Sequence, residues 1–317
     1  MRHLLSIEDL DRDEIERILS AAAFFADVAD RPIKKVPSFR GRLVINLFYE
    51  ASTRTRSSFE LAAKRLSADV LNVVASGSSV EKGESLHDTV STLSAYGPDV
   101  IVIRSPHAGA PGLVAGWTHA AVVNAGDGKH QHPTQALLDV YVLRQRLGSL
   151  EGCDIWIVGD VLHSRVARSC VQAFIKMGAE VTVAGPPTLV PTELAALGCN
   201  VRHTLEHIGE ADVVYALRLQ QERMSEDFLP SLREYAANYQ LNSRRLKARQ
   251  LVMHPGPVNR GVEISGELID SSQSLIIEQV RAGIVVRMAV LVEVLSGTRV
   301  RDPGGQRLAV SAEPQLA

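Results

Sequence analysis

The sequence predicts an α/β protein of two domains, each a mostly parallel sheet flanked by helices, with helices crossing between the domains. The chain has 317 residues, which is long for a single hydrophobic core. Short apolar runs of strand length alternate with segments of helical length, and this order favours parallel sheets. The alternation restarts after His132 and Pro133, which indicates a second unit of the same kind.

The first half begins with a predicted helix and continues with predicted strands. Asp11 and Glu14 have the spacing of a capping box, and apolar residues recur behind them at helical intervals. Apolar runs then alternate with stretches that are long enough to form helices. The predicted strands cover residues 43–48, 70–74, 100–103 and 121–124.

The second half repeats this order of elements. We expect helices at residues 134–147 and 165–177, and a long apolar helix at residues 275–295. The predicted strands cover residues 155–158, 181–184, 213–217 and 251–253. We expect residues 1–134 together with 287–317 to form the first domain, and residues 135–286 to form the second.

Composition and charge argue against several classes of protein. The net charge of -2 gives no general attraction to nucleic acids or to anionic membranes. The chain has neither a signal-peptide pattern nor a run of about 18 apolar residues, so we expect a cytoplasmic protein without a membrane partner. The dispersed cysteines, which suit a reducing compartment and which we expect to be buried thiols, are Cys153, Cys170 and Cys199.

A polar segment at residues 50–58 lies between the first predicted strand and a helical pattern at residues 59–66. A helix N-terminus presents unpaired N–H groups and the positive end of the helix dipole, and so favours anions. The segment adds hydroxyl donors and a full charge through Ser52, Thr53, Arg54 and Thr55. We therefore predict a phosphate site here, although hydroxyl residues that only cap a helix are the alternative.

Polar residues also follow most of the other predicted strands. Ligands of open α/β sheets bind beyond the carboxyl ends of the strands, so these residues are candidates for a binding site. The candidates are Arg104, His132, Gln135, Arg165, Arg218, Gln220 and the segment 254–257.

The sequence predicts neither a metal nor an organic cofactor. His130 and His132 could form a metal-binding pair, but no third ligand stands at the spacing of a known site. The loop at residues 159–165 has the position of a dinucleotide loop, but it lacks the G-x-G-x-x-G spacing.

The ordered motifs resemble those of the carbamoyltransferases, the family that contains aspartate and ornithine carbamoyltransferases. Ser-Thr-Arg-Thr-Arg at 52–56 resembles the family's carbamoyl phosphate loop, and His-Pro-Thr-Gln at 132–135 resembles its second motif. The resemblance implies that the first domain binds carbamoyl phosphate and that Arg54, Thr55, Arg104 and His132 are catalytic. The remaining carbamoyl phosphate ligands that it implies are Ser52, Thr53, Gln135, Pro255, Gly256 and Pro257.

The motifs of the second domain resemble those of aspartate-specific members. The resemblance implies that Arg165 holds the α-carboxylate of aspartate, and that Arg218 and Gln220 contact its side chain. Guanidinium groups suit this task because their planar fork meets a carboxylate through two hydrogen bonds.

A further motif implies shared active sites. Ser78, with Lys82 to Ser85, resembles a loop that the family inserts into the site of a neighbouring subunit, where the lysine binds aspartate. This implies a homotrimer. By resemblance, Glu50, Arg165 and Arg223 form the ion pairs that accompany domain closure.

The reaction implied is transfer of the carbamoyl group of carbamoyl phosphate to the amine of L-aspartate, a step of pyrimidine nucleotide biosynthesis. Residues 254–257 read His-Pro-Gly-Pro, whereas ornithine enzymes carry a cysteine in their corresponding motif. An ornithine-type enzyme and a noncatalytic subunit are the alternatives. Residues 258–261 resemble the bacterial class that associates with dihydroorotase, so a larger assembly with dihydroorotase or regulatory chains stays open.

Overall fold

The structure is a computed structural model that describes residues 1–74, 83–220 and 231–297. The described residues form two parallel sheets flanked by helices, which confirms the predicted fold class. The first sheet has four strands and the second has five.

The first sheet contains four parallel strands in the order β2-β1-β3-β4. Its strands are β1 (Leu43–Phe48), β2 (Asp69–Val74), β3 (Val100–Ser105) and β4 (Ala121–Asp127). The helices of this half are α1 (Arg12–Ala29), α2 (Thr53–Arg65), α3 (Leu86–Ser94) and α4 (Ala110–Trp117). The predicted capping box of Asp11 and Glu14 is present at the start of α1.

The second sheet contains five parallel strands in the order β7-β6-β5-β8-β9. Its strands are β5 (Asp154–Val158), β6 (Glu180–Ala184), β7 (Asn200–Arg202), β8 (Val213–Ala216) and β9 (Leu251–Met253). The helices of this part of the chain are α5 (Pro133–Leu147), α6 (Arg165–Lys176), α7 (Leu232–Tyr239), α8 (Gly266–Ile269) and α9 (Ile276–Gly297).

The predicted strands are all present, and the differences from the prediction are local. β7 was missed because its three residues, Asn-Val-Arg, do not form an apolar run. α2 begins at Thr53, earlier than the apolar pattern at residues 59–66 indicates. The reason is the N-cap, because the Ser52 hydroxyl accepts a hydrogen bond from the Thr55 N–H at 3.3 Å.

Two helices connect the halves of the molecule. α5 packs on β4 of the first sheet and on α6 of the second half, and α9 packs on α1, α2 and α5. Apolar side chains of both helices are buried in one continuous core that contains residues of both halves. No helix in the described ranges is both long and apolar enough to span a bilayer.

The three cysteines are free thiols. Cys170 and Cys199 are buried, as expected, whereas Cys153 is only half-buried. The expectation for Cys153 was wrong because this residue directly follows the exposed turn at residues 151–152 and precedes β5.

Candidate active site

A cleft of about 1350 Å³ opens where the carboxyl ends of strands from both sheets meet. Every predicted site residue within the described ranges lines this cleft. These residues are Glu50, Ser52, Thr53, Arg54, Thr55, Arg104, His132, Gln135, Arg165, Arg218, Gln220, Pro255, Gly256 and Pro257. Ser78, Lys82 and Arg223 lie outside the described residues.

The N-terminus of α2 forms one wall of the cleft. Its first turn contains no acidic residue, so the positive end of the helix dipole is not neutralised within the helix. Arg104 reaches this wall from β3 and donates through Nη1 to the Ser52 hydroxyl at 3.4 Å. The helix end, Arg54 and Arg104 together form a site for an anion.

The segment 254–257 approaches the same wall from the second half. Gly256 has a φ of +67°, and a Cβ at this position would lie 2.9 Å from Arg54 Cζ. The segment is itself held by His254, whose Nδ1 accepts the Gly256 N–H at 2.8 Å and whose Nε2 lies 3.1 Å from Glu263 Oε1. The backbone of this segment therefore faces the arginine of the anion site.

Glu50 links one arginine from each half. Its Oε2 accepts a hydrogen bond from Arg104 Nε at 3.1 Å and another from Arg165 Nη2. Burial, followed by the nearby charge of Arg104, lowers the pKa of Arg165. Arg165 Nη1 is buried without a hydrogen-bond partner among the described residues, so this N–H group can receive a carboxylate.

His132 precedes α5 and is buried beside the anion site. Its backbone N–H donates to Ser169 Oγ at 2.8 Å, while the ring Nδ1 has no partner within the described ranges. Burial is the largest cause that holds its pKa well below 6.5, followed by the charges of Arg104, Arg287 and Arg165. The ring is therefore neutral near pH 7 and offers one N–H donor.

The loop that carries Arg218 and Gln220 is tied to the loop after β5. The Gln220 N–H donates to Asp160 Oδ2 at 3.1 Å, and the other oxygen of Asp160 accepts from the His163 N–H at 3.1 Å. This buried carboxylate fixes the position of Gln220 at the edge of the cleft.

Three polar residues near the cleft were not predicted from the sequence, namely Asp139, Gln279 and Arg287. Arg287 donates to Ser58 Oγ at 2.7 Å and lies 5.1 Å above the ring of Phe59. Burial lowers its pKa to about 10, so it adds a third positive charge close to the anion site. The available signal was the occurrence of Gln279 and Arg287 within an otherwise apolar helical pattern.

His130 lies outside this constellation. Its ring Nδ1 is 3.0 Å from Asp127 Oδ2, its side chain is 44% exposed, and it does not line the cleft. In the described part of the chain, no cluster of three or more His, Cys, Asp and Glu side chains could hold a metal ion.

Two family models match this sequence, one for each half. The carbamoyl phosphate-binding domain of aspartate/ornithine carbamoyltransferase matches residues 2–145, and the aspartate/ornithine-binding domain matches residues 151–294.

Curated relatives match over nearly the whole length. The aspartate carbamoyltransferase catalytic subunit of Acidothermus cellulolyticus is 55% identical over 301 residues, which cover 94% of this chain and 93% of that protein. The catalytic subunit of Sorangium cellulosum is 56% identical over 294 residues and 92% of each chain.

Solved structures show the same fold. Aspartate transcarbamoylase from Trypanosoma cruzi, in complex with carbamoyl phosphate and aspartate, superposes with a TM-score of 0.81 and 32% identity over 92% of this chain and 95% of that one. The catalytic subunit from M. jannaschii has a TM-score of 0.81 and 34% identity, over 94% and 99% of the two chains.

Proposed function

The chain belongs to the aspartate/ornithine carbamoyltransferase family, and we propose that its cleft transfers the carbamoyl group of carbamoyl phosphate to the amine of L-aspartate. The products are N-carbamoyl-L-aspartate and phosphate, and the reaction belongs to pyrimidine nucleotide biosynthesis. The observation that carries the proposal is that Glu50 accepts hydrogen bonds from two arginines, Arg104 of the anion site and Arg165 of the second half. The T. cruzi relative, whose structure contains carbamoyl phosphate and aspartate, supports it.

Each half of the molecule binds one substrate in this proposal. Residues 1–134 with 287–317 bind carbamoyl phosphate, and residues 135–286 bind aspartate. The two sheets fall within these respective ranges, which supports the division.

Carbamoyl phosphate lies with its phosphate on the N-terminus of α2. Ser52, Thr53 and Thr55 supply backbone and hydroxyl donors, and Arg54 and Arg104 supply the positive charge. The carbonyl oxygen faces Thr55, Arg104 and His132. The amide group faces Gln135 and the backbone carbonyls of residues 255–257. The contact between Gly256 and Arg54 supports this arrangement, because it brings the carbonyl-bearing segment beside the phosphate site.

Aspartate lies on the opposite side of the cleft. Arg165 Nη1, which is buried without a partner among the described residues, receives the α-carboxylate. Arg218, Gln220 and Lys82 receive the side-chain carboxylate. Two arginines for two carboxylates favour an acidic amino acid over ornithine, whose side chain is cationic.

The reaction needs no protein nucleophile. The aspartate amine attacks the carbamoyl carbon, the new C–N bond forms, and the bond from that carbon to the phosphate oxygen then breaks. Donors placed at the developing oxyanion lower the barrier, and loss of one such donor typically costs about 10²- to 10³-fold in turnover. The leaving phosphate takes the amine proton, since the second pKa of a phosphate ester is about 6. The cleft also raises the reaction rate because it holds both substrates in contact.

We further propose that the enzyme is a cytoplasmic homotrimer with shared active sites. Ser78 and Lys82 enter the cleft of a neighbouring subunit, and dihydroorotase or regulatory chains are the partners expected to join such trimers. Closure of the two halves around the substrates involves Glu50, Arg165 and Arg223. The contact of Glu50 with arginines from both halves supports this role.

Two rival functions have specific arguments against them. An ornithine-type enzyme is disfavoured by the absence of a cysteine at residues 254–257 and by Arg218 in the cleft. A noncatalytic subunit is disfavoured because Arg54, Thr55 and His132 all line the cleft. A carbamoyl-transfer assay with aspartate and with ornithine distinguishes the three functions.

A further inference from the structure

We propose that Asp139 is a positioning residue that fixes the orientation of the Gln135 amide, and that this orientation makes the cleft select a carbamoyl group over an acyl group without an amine. The inference rests on the proposed function and deepens it. Asp139 does not line the cleft and is fully buried in α5, one turn below Gln135.

Asp139 is the acceptor at the centre of a buried hydrogen-bond cluster. Its Oδ1 accepts from Gln135 Nε2 at 3.0 Å and from Gln279 Nε2 at 2.7 Å. Its Oδ2 accepts from the Tyr215 hydroxyl at 2.7 Å and from the Cys170 thiol at 3.4 Å. The cluster therefore joins α5, α6, β8 and α9, and each of these donors is a neutral group.

An ionised carboxylate only accepts hydrogen bonds, so it dictates which end of each glutamine amide faces it. Burial raises the pKa of Asp139 to about 6 against the opposing effect of its donors, so the group is ionised near pH 8. Gln135 and Gln279 must then turn their NH₂ groups towards Asp139 and their oxygens away from it.

Gln279 shows the result of this constraint. Its Oε1 accepts the backbone N–H of His254 at 3.0 Å, at the start of the segment 254–257. The same carboxylate thus orients one glutamine that anchors this segment and another, Gln135, that lines the cleft.

The oxygen of Gln135 is the group left for the substrate. No described residue donates to Gln135 Oε1, while Gln135 Nε2 is held by Asp139. Together with the carbonyls of residues 255–257, this oxygen gives the cleft acceptors for an NH₂ group. A methyl group in the same place would leave these acceptors without partners, which is the basis of selection.

The test compares carbamoyl phosphate with acetyl phosphate, in which CH₃ replaces NH₂. Isothermal titration calorimetry without aspartate gives both dissociation constants for the wild-type protein and for the variants Asp139→Asn and Tyr215→Phe. The asparagine NH₂ can oppose the NH₂ of Gln135 and release its orientation. We expect Asp139→Asn to raise the dissociation constant of carbamoyl phosphate about 10-fold or more, whereas the dissociation constant of acetyl phosphate changes less than about threefold.

Tyr215→Phe is the matched control, because it removes a donor to Asp139 but leaves Gln135 untouched. At pH 8, where Asp139 is ionised, we expect it to leave the ratio of the two dissociation constants unchanged. The inference is overturned if Asp139→Asn weakens the binding of both ligands to the same extent, or the binding of neither. It is also overturned if Tyr215→Phe changes the ratio of the dissociation constants as strongly as Asp139→Asn does.

A second measurement needs no variant and applies if Asp139→Asn does not fold. The ratio of the two dissociation constants of the wild-type protein is followed from pH 8 to pH 5.5. Both ligands carry the same phosphate, so its titration cancels in the ratio. Protonation of Asp139 turns one oxygen into a donor, and we expect the preference for carbamoyl phosphate to fall as the pH passes about 6.

The thiol and hydroxyl that donate to Asp139, and the nearby Arg287, keep their charge state over this range. Burial raises the pKa of Cys170 and of Tyr215 well above their usual values, and Arg287 stays charged with a pKa of about 10. His132 is the N-cap residue of the same helix, and burial lowers its pKa well below 6.5, so it titrates at lower pH than a free imidazole. A constant ratio from pH 8 to pH 5.5 would overturn the inference.

A parallel transfer assay with aspartate separates this inference from the proposed function. Transfer to aspartate with an unchanged ligand ratio would reject only the role of Asp139. Absence of transfer in the wild-type protein would reject the proposed function itself.

Discussion

Gly256 lies against the guanidinium of Arg54, so closely that a Cβ at this glycine would be 2.9 Å from Arg54 Cζ. The two residues come from opposite halves of the molecule. The backbone of the segment 254–257 thereby limits where the arginine of the anion site can lie. The position of an anion-binding side chain therefore depends on how the two halves lie relative to each other.

Gly256→Ala is expected to displace Arg54 and to weaken the binding of carbamoyl phosphate by about 10-fold or more, because a charge-assisted contact to the phosphate is lost. The guanidinium is the far end of a flexible side chain, so it moves in preference to the backbone. Titration calorimetry with carbamoyl phosphate measures the loss.

Gly261→Ala controls for the backbone effect. Gly261 also has a positive φ of +84°, but a Cβ there meets no atom within 4 Å. Both variants should lose about 1–2 kcal/mol of stability through the unfavourable φ. Equal loss of ligand affinity in the two variants would show that the Arg54 contact is unimportant.

His132→Ala is expected to lower turnover about 10²-fold or more with the fold intact, because it removes a donor at the developing oxyanion. Steady-state kinetics and circular dichroism measure the two properties. His130→Ala is the matched control and should have nearly wild-type turnover, since His130 does not line the cleft. A near-wild-type rate for His132→Ala would disprove the assigned role.

The neutral state of His132 gives a pH prediction. Its folded pKa lies below the unfolded value of 6.5, so below pH 6.5 the unfolded chain binds more protons at this site. The stability contributed by the site is therefore fully present above pH 6.5 and is lost as the pH falls through the folded pKa. NMR titration of the His132 ring should show a midpoint well below 6.5, and a midpoint near 6.5 would contradict its burial beside the arginines.

Glu50→Gln is expected to impair closure of the two halves, because it leaves Arg104 and Arg165 without their shared carboxylate. Small-angle scattering should show contraction of the wild-type protein with a bisubstrate phosphonate analogue, and less contraction of the variant.

Glu16→Gln is the control for this experiment, since Glu16 pairs with Arg144 away from the cleft. It should contract like the wild-type protein. Scattering of the wild-type protein that does not change with the analogue would contradict the closure proposal.

The sequence predicted those features that depend on local patterns. The strands follow from short apolar runs, and the anion site at the start of α2 follows from the hydroxyl residues and Arg54 that stand there. The cleft residues could be predicted because polar residues after parallel strands meet at one edge of a sheet.

Contacts between distant parts of the chain could not be predicted in the same way. Asp139 and Gln279 are 140 residues apart, and their hydrogen bond depends on the packing of α5 against α9. The approach of Gly256 to Arg54 depends likewise on how the two halves meet. A single aspartate in an apolar helical pattern gives no local sign of the donors that surround it.

The most direct test of the central claim is a carbamoyl-transfer assay of the purified protein. Carbamoyl phosphate is supplied with L-aspartate or with L-ornithine, and the carbamoylated amino acid is measured. We expect N-carbamoyl-L-aspartate and no detectable carbamoylated ornithine. Product with ornithine alone, or no product with either amino acid, would contradict the proposed function.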